Sequence, residues 1–131
     1  MAEFSDRAAT LREFQELRRV AGMSVFPDAA VQISLDRTLH AAWLRNDIGA
    51  LVGMGRVTGD GGCFVQINDV AVHPDEQRQG HGGAIVRYLL EWCDRTLPSG
   101  CYISLIADPG AERLYQTHGF SPRTGMARRV P

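Results

Sequence analysis

The sequence predicts an α+β fold in which about four helices flank a mixed, mostly antiparallel sheet of about six strands. Three observations carry this. Two segments with helical spacing precede any clear strand, three short β-rich runs joined by turns then follow one another, and a later helix separates the third run from a fourth.

The elements follow in order. Thr10-Leu11-Arg12-Glu13 has the S/T-x-x-E form of a capping box, and Leu11, Phe14, Leu17 and Ala21 recur at helical spacing. A first helix is expected over about residues 6 to 21, stopping at Gly22. Beyond Phe26-Pro27, the residues Val31, Leu35 and Leu39 recur every fourth position, which suits a second short helix with Pro27 in its first turn. Ala41 to Leu44 and Ile48 to Val57 are apolar runs separated by Arg45-Asn46-Asp47 and read as a hairpin. Asp60-Gly61-Gly62 marks the next turn, because Asp-Gly accepts positive φ, and leads into Cys63 to Val72. After a polar elbow, Ile85, Tyr88, Leu89 and Trp92 share one helical face, closed by Pro98-Ser99-Gly100. Tyr102 to Ala107 is a buried strand, parallel to the preceding one because a helix-long connection separates them. Ala111 to His118 is a short helix ending at Gly119, and Met126 to Val130 a last strand.

Composition narrows the function classes. A chain of 131 residues fits a single domain, 1–131, read as a helical segment over 1–39 and a core over 40–131. Fourteen Lys and Arg against 15 Asp and Glu, with a net charge of -1, give no reason to invoke nucleic acid or an anionic membrane. No apolar run reaches the roughly 20 residues of a membrane helix and no signal pattern opens the chain, so a cytoplasmic location is expected. Cys63, Cys93 and Cys101 are odd in number and lack C-x-x-C spacing, so they read as reduced, interior residues and not as a disulfide or zinc framework. His73, His81 and His118 have unrelated flanks and make no metal set, and His40 reads as surface or core.

The most informative stretch is Val70-Ala71-Val72-His73-Pro74, followed by Gln77-Arg78-Gln79-Gly80-His81-Gly82-Gly83-Ala84. A helix opening after a strand offers unpaired N–H groups and a positive dipole end, and glycines let an anion approach the main chain. The dinucleotide fingerprint G-x-G-x-x-G and the nucleotide loop G-x-x-x-x-G-K-[ST] both fail here, since Lys is missing and the glycines come too late after the strand. The bland alternative is a tight turn with close helix packing.

The run Gln77-x-x-Gly80-x-Gly82 resembles the Q/R-x-x-G-x-G/A signature of the GNAT superfamily of N-acetyltransferases. Leu114-Tyr115-Gln116-Thr117-His118-Gly119-Phe120 resembles that family's second signature, L-Y-x-x-x-G-F. The likeness covers roughly residues 40 to 130 and extends more weakly, at Arg56 to Gly62 and Ser104 to Asp108, to small members related to serotonin-type acetyltransferases. The family's first strand has little room ahead of the first helix here, so it is short or missing. Copies of such chains often pair through the C-terminal strand, which leaves a homodimer open.

The resemblance implies acetyl-coenzyme A as co-substrate, no metal, and a primary amine of a small molecule as acceptor, acetylated by direct attack in a ternary complex. It implies that the amides of Gln77, Arg78, Gln79, Gly80, His81, Gly82, Gly83 and Ala84 hold the pyrophosphate. It also implies that the strand ending at Val70, Ala71 and Val72 splays from its parallel neighbour to grip the pantetheine arm. Tyr115 is the acid candidate, since a phenol of pKa ~10 is protonated at neutral pH and can protonate a departing thiolate; a core aromatic is the alternative. Asp69 and Asp108 are the base candidates, although Asp69 can simply pair with Arg56 and Asp108 can cap the following helix. Protein-lysine acetylating relatives carry a glutamate where this chain has Gln66, which counts against a histone-type mechanism, while acetylation of a protein or peptide amine stays an alternative. Phe26, Trp43 and Met54 are candidate acceptor walls or plain core; a pocket lined by Trp43 favours an aromatic or aliphatic amine over a strongly charged one. A non-catalytic acyl-coenzyme A binding module is the rival from another class.

Overall fold

A computed structural model describes all residues, 1–131. The elements run β1 (Glu3–Phe4), α1 (Leu11–Val20), α2 (Asp28–Asp36), β2 (His40–Arg45), β3 (Leu51–Gly59), β4 (Phe64–Val72), a 3-10 turn at Pro74–Glu76, α3 (His81–Thr96), β5 (Tyr102–Ser104) and α4 (Glu112–Gln116). The sheet has five strands in sequence order, β1 to β4 antiparallel and β4 to β5 parallel.

The capping box forms as the spacing predicts: Glu13 N donates to Thr10 Oγ1 at 3.1 Å and Thr10 N to Glu13 Oε1 at 3.0 Å. Because the cap sits at Thr10, α1 opens at Leu11 and not at residue 6. The short first strand exists, as two residues pairing Arg45 and Leu44. The last strand does not. Met126 and Val130 are 89% and 87% exposed and lie in a segment without regular structure, so the sheet has five strands where six were expected. Strand alternation would put Arg128 on one face with Met126 and Val130 and Arg129 on the other with Ala127, so neither face is apolar enough to bury. The cysteines also divide: Cys93 is buried, Cys101 half-buried, and Cys63 exposed, contrary to the interior reading of all three.

Two clusters sandwich the sheet. On one face α1 and α2 bring Phe14, Leu17 and Val31 against the cross-strand row Trp43, Met54 and Ala71. On the other, Ile85, Leu89 and Cys93 of α3 pack on Ala42, Val57, Val65 and Ile67. Full burial of a side chain such as Ile85 or Leu89 contributes about 1.5–3 kcal/mol. The close fit of α3 depends on Gly55: a Cβ there would lie 2.8 Å from Ile85 Cγ2 and 2.9 Å from Leu89 Cδ1. No helix is long and apolar enough to cross a membrane.

Candidate active site

The site starts from an irregularity in β4. Arg56 of β3 faces Asn68, yet Met54 faces Ala71, so Gly55 alone stands opposite Asp69 and Val70. That is a β-bulge, and Asp69 takes the left-handed φ of 59° that the extra residue requires. Side chains hold it there. Asp69 accepts from Arg18 Nη1 and, at 2.8 Å, from Arg56 Nε, and Arg56 Nη2 is ion-paired with it at 2.7 Å. Both arginines are about 95% buried, at 4% and 5% exposure, and their remaining bonds go to Ser24, Ser34 and Thr38.

Ahead of the bulge β4 has already parted from β5. Parallel pairing covers Phe64, Val65 and Gln66 against Tyr102, Ile103 and Ser104 and then stops, although the sequence predicts β5 as far as Ala107. The edge of β4 from Ile67 to Val72 therefore lines a cavity of ≈ 510 Å³ instead of pairing with a strand. Across it stand Ile106, Asp108, Leu114 and Tyr115.

The elbow closes one end. Gln77 Nε2 donates to Val72 O at 3.2 Å, tying the loop to the strand end, and Arg78 and Gly80 adopt positive φ of 64° and 80°. Gly80 caps α3 without a side-chain hydrogen bond, and no acidic residue occupies the first turn. The N–H groups there are left for an anion. Gly82 and Gly83 are not demanded by packing: an added Cβ would meet only Leu114, at 3.7 and 3.8 Å, which is ordinary contact. Space in front of this backbone is therefore open. His81 Nε2 is buried without a hydrogen-bond partner, 3.8 Å from Glu76 Oε2. An open glycine turn, free amides and an orphaned buried nitrogen fit a phosphate-bearing ligand.

The cavity gathers most of the residues singled out from sequence. Val70, Ala71, Val72, Gln77, Arg78, Gly80, His81, Gly82, Asp69, Asp108 and Tyr115 all line it, while Gln79, Gly83 and Ala84 stand beside it in the elbow and first turn. Tyr115 is partly buried with its ring edge-on to Phe120 at 6.0 Å. Burial pushes its phenol above the ordinary value of 10, helped by the negative charge of Asp108. Asp108 is exposed on the cavity wall and its carboxylate makes no hydrogen bond; α4 starts from Ala111 without a side-chain cap, so Asp108 does not cap it. Asp69, by contrast, is spent on two guanidinium groups, which leaves it the role of fixing the bulge.

Two of the three expected acceptor walls lie elsewhere. Trp43 is 8% exposed and Met54 0%, both inside the α1–α2 core, because the Trp43–Met54–Ala71 row faces those helices. Phe26 does line a cavity, a second one of ≈ 430 Å³ that shares Met23, Asn68 and Asp69 with the first. Arg18 lines that cavity too. Sequence reading missed it, though its place one residue after Leu17 and four after Phe14 put a charge on the apolar stripe of α1.

The comparisons agree with this geometry. The model of the Acetyltransferase (GNAT) family matches residues 10–120. An uncharacterized N-acetyltransferase, ycf52-like, from Prochlorococcus marinus is 32% identical over 119 residues, 88% of this chain, and the chain spans 64% of that relative's length. A protein of unknown function from meticillin-resistant Staphylococcus aureus, described as a probable acetyltransferase, superposes with a TM-score of 0.91 at 34% identity, covering 99% of this chain and 100% of its own. The ribosomal-protein-S18-alanine N-acetyltransferase of Escherichia coli shares the fold at a TM-score of 0.76 and 21% identity, covering 95% of this chain and 80% of its own. With a glycine elbow, a bulged and splayed β4 and a family match over most of its length, the chain belongs to the GNAT family of N-acetyltransferases.

Proposed function

We propose that the chain transfers an acetyl group from acetyl-coenzyme A to a primary amine of a small molecule, by direct attack with both substrates bound. The observation that carries this is the end of β4–β5 pairing at Gln66 and Ser104, which opens the β4 edge along a cavity running from the elbow to Tyr115.

Acetyl-coenzyme A supplies an acyl group already activated as a thioester. The α3 amides of His81, Gly82 and Gly83, with Arg78, would hold its pyrophosphate, and the unpaired main chain between Ile67 and Val72 would hold its arm. Backbone groups fixed in advance by the bulge stabilise developing charge without reorganising. As the amine nitrogen bonds to the acyl carbon the C–S bond breaks, and the Tyr115 O–H delivers its proton to the leaving sulfur. The raised phenol keeps that proton in place throughout the neutral range. Asp108, a carboxylate without a hydrogen bond on the facing wall, takes the proton the amine loses, directly or through water.

Thiol release from acetyl-coenzyme A over a panel of amines tests the reading, with Tyr115→Phe beside the wild type. Turnover that falls about 10²-fold in the variant is expected. Binding without turnover on any amine would point to the non-catalytic module, and absence of binding would overturn the reading altogether.

A further inference from the structure

The second cavity has a composition the transfer chemistry does not need. Its apolar walls are Phe14, Met23, Phe26, Ala30 and Val31, and its charged lining is two arginines, Arg18 and Arg56, against a single carboxylate, Asp69. Two cations and one anion leave an excess of one positive charge, and it is buried. A guanidinium has five N–H donors. Arg56 makes four hydrogen bonds, to Asp69, Ser34 and Thr38, and its Nη2 is also ion-paired with Asp69 at 2.7 Å. Arg18 spends four: Nε and Nη2 on Ser24 O, Nη2 again on Ser24 Oγ, and Nη1 once on Asp69. One Nη1 N–H remains. A further cation stands close by, since the Arg129 guanidinium lies 5.1 Å from the Phe26 ring whose neighbour at 5.0 Å is Arg18.

We infer that the acceptor is an amine bearing a carboxylate on an apolar body, and that Arg18 receives the carboxylate while Phe26 and Phe14 pack against the body. This rests on the acetyl-transfer reading for the fate of the amine and on the cavity alone for the carboxylate. A buried, uncompensated charge is costly, and a singly negative group with a free N–H to meet it removes the excess. Against the buried groups that line the cavity, a phosphate dianion overshoots that balance. A polyamine or simple ammonium compound adds to the positive charge instead of cancelling it. The two cavities share Met23, Asn68 and Asp69 in their walls, which sets Arg18 beside the β4 edge.

Matched pairs test this. L-Phenylalanine and phenethylamine differ only in the carboxylate, as do L-leucine and isopentylamine, and O-phosphoethanolamine against ethanolamine supplies the phosphate arm. The expected kcat/KM favours each amino acid over its decarboxylated partner by at least about tenfold, the size of a charge-assisted hydrogen bond. Arg18→Lys keeps the charge, loses the fork, and should cut that preference to about threefold. Calorimetric binding of L-phenylalanine and phenethylamine to the protein without acetyl-coenzyme A reads the cavity independently of turnover. Tighter binding of the amino acid with no turnover on any amine would sink the transfer reading and leave the carboxylate inference standing. Equal or reversed preference in either assay, or phosphoethanolamine preferred over the amino acids, overturns the inference.

Discussion

The two flanks of the site are built on opposite physical means. The elbow flank is backbone with its side chains removed, at Gly80, Gly82 and Gly83, where the useful atoms are amides and an added Cβ would meet at most Leu114 at ordinary contact distance. The helical flank is side chain with its charges buried, where Arg18, Arg56 and Asp69 lock one another and the bulge of β4 into place. The first should bind strongly while contributing little to stability. The second should contribute chiefly to stability, with Arg18 alone turned to binding.

Breaking the charged flank gives the largest effect. Asp69→Asn leaves two buried guanidinium groups without their carboxylate, and removing one partner of a buried ion pair costs about 3–5 kcal/mol. Urea unfolding should register that loss; a change below about 1 kcal/mol would mean the cluster relaxes into water.

Tyr115→Phe is expected to cost about 10²-fold in kcat with unfolding unchanged. The pH profile gives the sign. The protonated phenol is the active form, so the wild-type rate declines only as pH rises through a pKa lifted above 10 by burial and by Asp108. The variant should lack that alkaline limb.

On the elbow flank Gly82→Ala sharpens the contrast, because its two effects have opposite directions. The added Cβ has room within the protein and Ala is the better helix former by about 0.5–1 kcal/mol, so stability should rise slightly. Affinity for acetyl-coenzyme A should fall about tenfold, measured by calorimetry.

The smallest effect concerns Glu13, which accepts from buried Arg45 at 2.7 and 3.1 Å and so ties α1 to β2. Its hydrogen bonds to Arg45 lower its pKa from 4.5 to about 2. The folded pKa lies below the unfolded one, so this contribution is complete above 4.5 and is lost as pH falls from there towards 2. Glu13→Gln should flatten that part of the acid limb of a stability profile.

Much of this was legible in the sequence because it depends on local spacing. The Thr10–Glu13 box, the Asp60-Gly61 turn and the two glycine and tyrosine signatures lie within a few residues of each other, and each predicts its element or its place at the cavity. The helical flank depends on contacts at long range. The Arg18–Asp69 pair joins residues 51 apart, and no periodicity announces it. From sequence Trp43 and Met54 fit either a cavity wall or plain core, because strand alternation shows that two faces exist without saying which of them a cavity takes. The last strand failed for a different reason, since β-prone residues near Val130 found no face to bury.

The parallel seam between β4 and β5 has a consequence for how the molecule assembles and breathes. It consists of three residue pairs, and Gln66 meets Ser104 only after the whole of α3 has been threaded between them, whereas β2, β3 and β4 meet through short turns. Closing so long a loop for so few bonds places this seam late in folding and early in local opening. Amide hydrogens at Tyr102 to Ser104 should exchange faster than those of β3, and the fraying would begin at the border of the groove itself.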